Sequence, residues 1–266
     1  RDTDRSRGLG DVYKRQMTGC SALNFSVEGL INAPKLTSEQ SEIHQALIES
    51  VGSNITLKYP KNGEYRSAYV IANIDDEPTD EAMVFYEYTS NGSEEDGLRV
   101  NILDKDEDGK WYSVKELAGA GTDIDQVIIS PMGSNNQTDV FVGYQNLTND
   151  EKTMEIYSYT DGDFKRVALD TYSVLEPLDI NNDGYIELIT IQRSTNNDTG
   201  AVTAKASMLN MKNNEITRGE NVDMCDNVTS YVSSKTGMLD SGRRAIFIDG
   251  LTADGKLQLS LIHISE

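Results

Sequence analysis

The chain has 266 residues, 37% hydrophobic and 26% charged, with 24 Lys plus Arg against 44 Asp plus Glu for a formal net charge of -20. That composition suits one large globular domain or two small ones. The negative charge repels phosphate backbones and gains nothing from counterion release, so nucleic acid is excluded as a partner. Two Cys and two His also exclude multi-Cys zinc sites, disulfide frameworks and most His-based catalysis.

Arg1 to Gln16 reads RDTDRSRGLGDVYKRQ and Ser260 to Glu266 reads SLIHISE. Both resemble translated sequencing-adapter read-through at the edges of metagenomic gene assemblies, and residues 1–16 and 260–266 are set outside the fold expectation. Met17-Thr18-Gly19-Cys20-Ser21 is similar to a bacterial lipobox, whose small residues let a peptidase approach the backbone. The resemblance implies that Cys20 is lipidated; the alternative is an ordinary Gly-Cys dipeptide. Two or more acyl chains on one Cys hold a protein stably on a membrane, at about 0.8 kcal/mol per buried methylene. No run of about 18 apolar residues occurs elsewhere, so membrane contact is expected through the lipid anchor only, with the protein extracytoplasmic on a bacterial cell membrane.

Residues 17–36 are read as lipobox and tether, extended around Pro34. Thr37-Ser38-Glu39-Gln40 then offers a capping box, and a short helix is expected over 37–54. Ile43, Ala46, Leu47 and Ile48 or Val51 recur at three- and four-residue spacing. Gly52 is placed to end the helix in a left-handed conformation. His44 lies off the apolar stripe and is expected to be solvated.

From Ile55 onward the helical period gives way to short strands. Ala82–Tyr86, Val140–Tyr144, Leu188–Ile191 and Ala245–Ile248 each follow a polar loop that ends in a charged residue: Glu81, Asp139, Glu187 and Arg244, spaced by 58, 48 and 57. After the first three come hairpins turning at Asp108-Gly109, Asp161-Gly162 and Asn213-Asn214, dipeptides that tolerate the positive backbone dihedrals of tight turns. A unit of about four strands recurring roughly every fifty residues suggests propeller blades. The expected fold is all-β: a partial β-propeller of about four blades over 55–259, preceded by the short N-terminal helix.

Asp179-Ile180-Asn181-Asn182-Asp183-Gly184-Tyr185-Ile186-Glu187 resembles the D-x-N-x-D-G-x-x-E loop of FG-GAP and VCBS-type repeats, the blades of integrin-alpha-like seven-bladed β-propellers. Oxygen side chains at alternate positions converge, Gly184 permits the sharp turn, and Glu187 closes the cage; hard oxygen ligands in that number favour Ca²⁺. The candidate metal residues are Asp179, Asn181, Asp183, Tyr185 and Glu187. The alternative is a turn whose side chains cap backbone amides without metal. In the same frame, Asn73 to Glu81 has Pro78 in place of the Gly, and Pro131 to Asp139 keeps only Asn135 and Asp139. Thr236 to Arg244 keeps one acid, Asp240, and ends on a cation, so one calcium loop is expected. The segment Thr37 to Gly121 is also similar to clostridial-type lipoproteins of gut bacteria that carry such repeats.

Asp104 to Gly109 mimics a calcium loop, but Tyr112 and Lys115 stand where chelating acids are expected, and a hairpin turn is the preferred reading. Adjacent acids such as Asp75 and Asp76 are read as loop solvation rather than as a glycosidase pair. Trp111 is expected to pack between blades. Cys225 has no His partner to make it a nucleophile. The functional expectation is a lipid-anchored, non-catalytic propeller module that binds or scaffolds a protein or glycan. The alternative is a propeller enzyme acting on polysaccharide or cell-wall material, since one fold hosts many chemistries.

Overall fold

The chain is known from a computed structural model that describes residues 36–89, 97–132, 137–146, 151–179, 184–195, 198, 202–212, 215–226, 228–239, 241–242, 244–252 and 254–263. Ser38–Glu266 forms one compact unit. The lipobox around Cys20 and the tether to 35 lie outside the described residues.

Helix α1, Ser38–Val51, forms where the apolar spacing requires it. Ile43, Ala46 and Leu47 are buried, and the amide of Gly52 bonds the Ile48 carbonyl at 2.9 Å with φ at +85°, the left-handed C-cap expected of a glycine.

Most of the described residues are in strands, arranged in four antiparallel sheets. The first contains β1 (Ile55–Leu57), β2 (Tyr69–Ala72), β3 (Glu81–Tyr88), β4 (Leu98–Lys105) and β5 (Trp111–Ala118). β1 and β2 lie end to end along β3, followed by β4 and β5. The second is a simple meander of β6 (Asp123–Ser130), β7 (Asp139–Gln145), β8 (Lys152–Thr160) and β9 (Asp163–Tyr172). In the third, β10 (Val174–Leu178), β11 (Glu187–Thr195) and β12 (Val202–Lys212) are followed by β13 (Glu215–Arg218) and β14 (Val222–Asp226), both paired to β12. The fourth has β15 (Val228–Met238), β16 (Arg244–Thr252) and β17 (Leu257–His263). β17 thus runs through 260–263, within the stretch that the sequence reading set aside.

The hairpin turns fall where the dipeptides place them. Asp161 and Gly162 both have positive φ, 54° and 75°, as a two-residue primed turn needs, and Gly109 has φ +77°. Asn213 and Asn214 lie outside the described residues, between β12 and β13.

Each sheet packs on the next through residues alternating along its strands. In β3, Ala82, Val84 and Tyr86 face α1, while Met83 and Phe85 face the second sheet. In β7, Val140, Val142 and Tyr144 return that contact, and Phe141 points onward to the third sheet. In β11, Leu188 faces back, whereas Ile189 and Ile191 meet Ile246 and Ile248 of the fourth sheet. These strands are buried on both faces, so they read as continuous apolar runs instead of alternating ones. The facing pattern corrects one expectation. Arg244 opens β16, but the residue aligned with Glu81, Asp139 and Glu187 is Ala245, one position later, because Ile246 faces back as Ala82, Val140 and Leu188 do.

One interior contact ties the segment between β1 and β2 to the second sheet, and another is made within the second sheet. Asp125 is the extra residue of a bulge in β6; bulges re-aim side chains, and this one is only 2% exposed. Its carboxylate accepts bonds from Asn62 Nδ2 at 2.8 Å and Tyr172 Oη at 2.7 Å and pairs with Lys152 Nζ at 2.8 Å. The Tyr172 ring passes so close to Gly143 that a Cβ there would lie 2.0 Å from the phenol oxygen.

Candidate functional site

The loop frames singled out in the sequence all end on the first residue of a sheet's second strand, and two of the closing acids act alike. Glu81 is 1% exposed and accepts the amide of Ile74 on Oε2 at 2.8 Å. Asp139 is fully buried and accepts the amide of Met132 on Oδ2 at 3.0 Å, while Ser158 donates to its other oxygen. In both cases the carboxylate holds a backbone N–H seven residues upstream. It folds the loop back over the strand start and lowers the loop's second residue, Ile74 or Met132, into the core. Such a bond satisfies a buried amide that would otherwise cost about 1–3 kcal/mol. In the first and second repeats, where the sequence predicts no calcium loop, the closing acid is a loop cap.

Glu81 is electrostatically strained. Burial pushes its pKa up to about 7; the bond from Ile74 opposes this, and the nearby Asp75 and Asp104 add to it. Its Oε1 has no hydrogen-bond partner among the described residues. Asp75 is also raised, first by burial and then by Asp104 and Asp76, against the pull of the Glu77 amide bonded to its Oδ1 at 2.7 Å.

Asp75 borders an open cleft of about 730 Å³ between loops of the first two repeats. One wall is the Asn73–Glu77 loop, and the other is formed by Gln137, Thr138 and the Tyr159–Gly162 turn. Asp75, Asp76, Glu77 and Asp161 line it, and the Tyr159 ring stands edge-on to Phe164 at 5.1 Å. Asp161 is paired with Lys165 at 2.7 Å, which holds its carboxyl below the usual range. Sequence reading missed this cleft. Its walls come from the loop of one repeat and the hairpin of the next, and local spacing carries no signal for that juxtaposition.

In the third repeat, Gly184 has φ +91°, and its amide bonds Asp179 Oδ2 at 3.2 Å. The amide of Ile186 bonds the Pro131 carbonyl at 3.0 Å, stapling this loop to the preceding one. Asn181 and Asp183 lie outside the described residues, as does the amide of Ile180, the counterpart of Ile74 and Met132. The donor set Asp179, Asn181, Asp183, Tyr185 and Glu187 is all oxygen, which fits Ca²⁺ by ligand chemistry. Among the described residues no group of three or more His, Cys, Asp or Glu has metal-binding geometry.

The Asp104–Gly109 segment is a hairpin turn. Asp106 Oδ1 takes the amides of Asp108 at 3.0 Å and Lys110 at 2.8 Å. Two expectations are corrected. His44 is partly buried rather than simply solvated, and its Nδ1 lies 2.8 Å from Tyr69 Oη in a bond that pins α1 to β2. Trp111 does not pack between sheets; it is buried between α1 and the first sheet, with Lys105 Nζ 4.3 Å above its ring. No helix of the described residues is long and apolar enough to cross a membrane. Compared with known proteins, the chain matches no family model and no curated protein.

Proposed function

We propose that this chain is a non-catalytic binding or scaffold module of the FG-GAP/VCBS propeller type, carried on a bacterial cell surface by a lipid at Cys20 and presenting its loop end to a protein or glycan. Its successive sheets are read as blades. One calcium ion held by Asp179, Asn181, Asp183, Tyr185 and Glu187 stabilises the third loop; bound there, it would neutralise clustered carboxylates and rigidify the turn.

The observation that carries this reading is the use made of the closing acids. Glu81 and Asp139 spend a carboxylate oxygen on backbone amides, work that shapes a loop and leaves the rim open as a recognition surface. The cleft lined by Asp75, Asp76, Glu77 and Asp161 is wide and anionic, with Tyr159 in its wall suited to stacking on a sugar or contacting a basic segment. A second reading, an enzyme acting on polysaccharide or cell-wall material, is favoured by one fact. Glu81 and Asp75 have raised pKa values side by side, the usual preparation of a general acid.

One experiment separates the two. The protein is incubated with soluble cell-wall fragments and polysaccharides, and both retention and new reducing ends are measured. Retention without new ends is expected. New reducing ends that disappear in Asp75→Asn would establish the enzyme and overturn the binding module.

A further inference from the structure

Asn62, Asp125 and Lys152 are remote in sequence, yet one carboxylate oxygen holds the side chains of the other two. Asp125 Oδ1 accepts from Asn62 Nδ2 and is paired with Lys152 Nζ, each at 2.8 Å, so the amine and the carboxamide are neighbours. The backbone fixes all three positions. Lys61 and Asn62 donate their amides to the carbonyls of Ile124 and Asp125 at 3.1 and 2.7 Å, which lays this segment along β6. The β6 bulge turns Asp125 inward. Lys152 stands opposite Tyr172 across β8 and β9. The Tyr172 hydroxyl donates to Asp125 Oδ2 at 2.7 Å, and its ring centre lies 5.6 Å from Lys152 Nζ. The Asp125 side chain is 2% exposed and that of Lys152 23%, so water has little access to the oxygen that joins them.

We propose that this cluster forms an isopeptide bond between Lys152 Nζ and Asn62 Cγ, with Asp125 as the proton carrier. An amine attacks a carbonyl carbon once it has lost its proton. The Lys152 ammonium passes one proton to Asp125 Oδ1, and the freed lone pair forms the new bond to Asn62 Cγ. The Cγ–Nδ2 bond then breaks as Nδ2 takes up that proton from Asp125 and the second proton that Nζ sheds on becoming an amide. Nδ2 departs as ammonium, and Asp125 ends as the carboxylate it began as, with no oxidant or co-reactant consumed. What singles out this triad is the single oxygen in contact with both the nucleophile and the leaving nitrogen. Proton transfer needs a carrier within hydrogen-bond reach of both, and holding the two together replaces a collision between separate molecules. Glu155, equally buried, holds Arg166 and Tyr157 instead, and so has neither an amine nor a carboxamide to join. The product ties the segment between β1 and β2 to β8 covalently and restricts the unfolded chain as a disulfide across a long loop does. The proposal is independent of the calcium, lipid-anchor and cleft readings.

The test is the intact mass of the purified, folded full chain, followed by proteolysis and tandem mass spectrometry, beside Lys152→Arg and Asp125→Asn. The full chain is expected to be lighter than its sequence by one ammonia, with a branched fragment that joins the peptides containing Asn62 and Lys152. Lys152→Arg keeps a cation for Asp125 and should have the full sequence mass, as should Asp125→Asn. Asn62 precedes Gly63, so ring closure onto the Gly63 amide would also release ammonia; it leaves a linear peptide and persists in Lys152→Arg. The proposal is overturned by a full chain at its sequence mass, by a loss of ammonia that maps to an unbranched Asn62-Gly63 peptide, or by a branched fragment that still forms in Asp125→Asn. The mass of the full chain decides even if a variant does not fold.

Discussion

At Gly143 a single hydrogen stands where any other residue would put a carbon 2.0 Å from the Tyr172 hydroxyl. Gly143→Ala must move that ring and break its bond to the buried Asp125. The expected loss is roughly 3 kcal/mol, seen as a fall of about 6–12 °C in the melting temperature; an unchanged transition would refute the contact. Glu81 makes a pH prediction. Its folded pKa of about 7 lies above the ordinary 4.5, so the folded state holds the proton more tightly than the unfolded one. The resulting stabilisation is complete below about 4.5 and is lost as pH rises through about 7. Glu81→Gln keeps an acceptor for the Ile74 amide and removes the titration. The melting temperature of the parent relative to Glu81→Gln should therefore decline between pH 5 and 8, and parallel curves would show that burial does not shift this carboxyl.

At the scale of single elements, α1 covers the first sheet as each later sheet covers its predecessor. Leu47 is fully buried in that contact; truncation to Ala should cost about 3 kcal/mol, and His44→Ala, which removes one hydrogen bond to Tyr69, about 1 kcal/mol. Thermal unfolding that ranks the two variants in the opposite order would mean that the helix is held by its polar contact. Much at this scale was legible in the sequence. The four apolar runs are the second strands of the four sheets, and the Asp161-Gly162 and Asp108-Gly109 dipeptides turn their hairpins. Both signals are local. What was not legible depended on partners remote in the chain: the burial of Trp111 beneath α1, the Tyr69 bond of His44, and the one-residue offset that makes Ala245, and not Arg244, the counterpart of Glu81.

Across the whole molecule, a net charge of -20 is spread over loops whose acids bend back on their own backbone. Glu81, Asp139, Asp106 and Asp75 all accept loop amides, and this common habit was the hardest feature to read. A carboxylate that caps an amide and one that holds a cation can occupy the same place in the same motif, and residue type does not distinguish them. The cleft was hidden for a related reason, because it exists only once two repeats are stacked.

In the proposed scaffold the closing acids Glu81 and Asp139 are structural and calcium is confined to the third loop. A calorimetric calcium titration of the full chain beside Asp183→Ala and Glu81→Gln tests this arrangement, carried to millimolar concentrations because extracellular modules bind at roughly 10⁻⁴ to 10⁻³ M. One binding event, absent in Asp183→Ala and intact in Glu81→Gln, is the predicted result. No heat and no thermal shift in any of the three, or binding that survives Asp183→Ala and vanishes in Glu81→Gln, would contradict it.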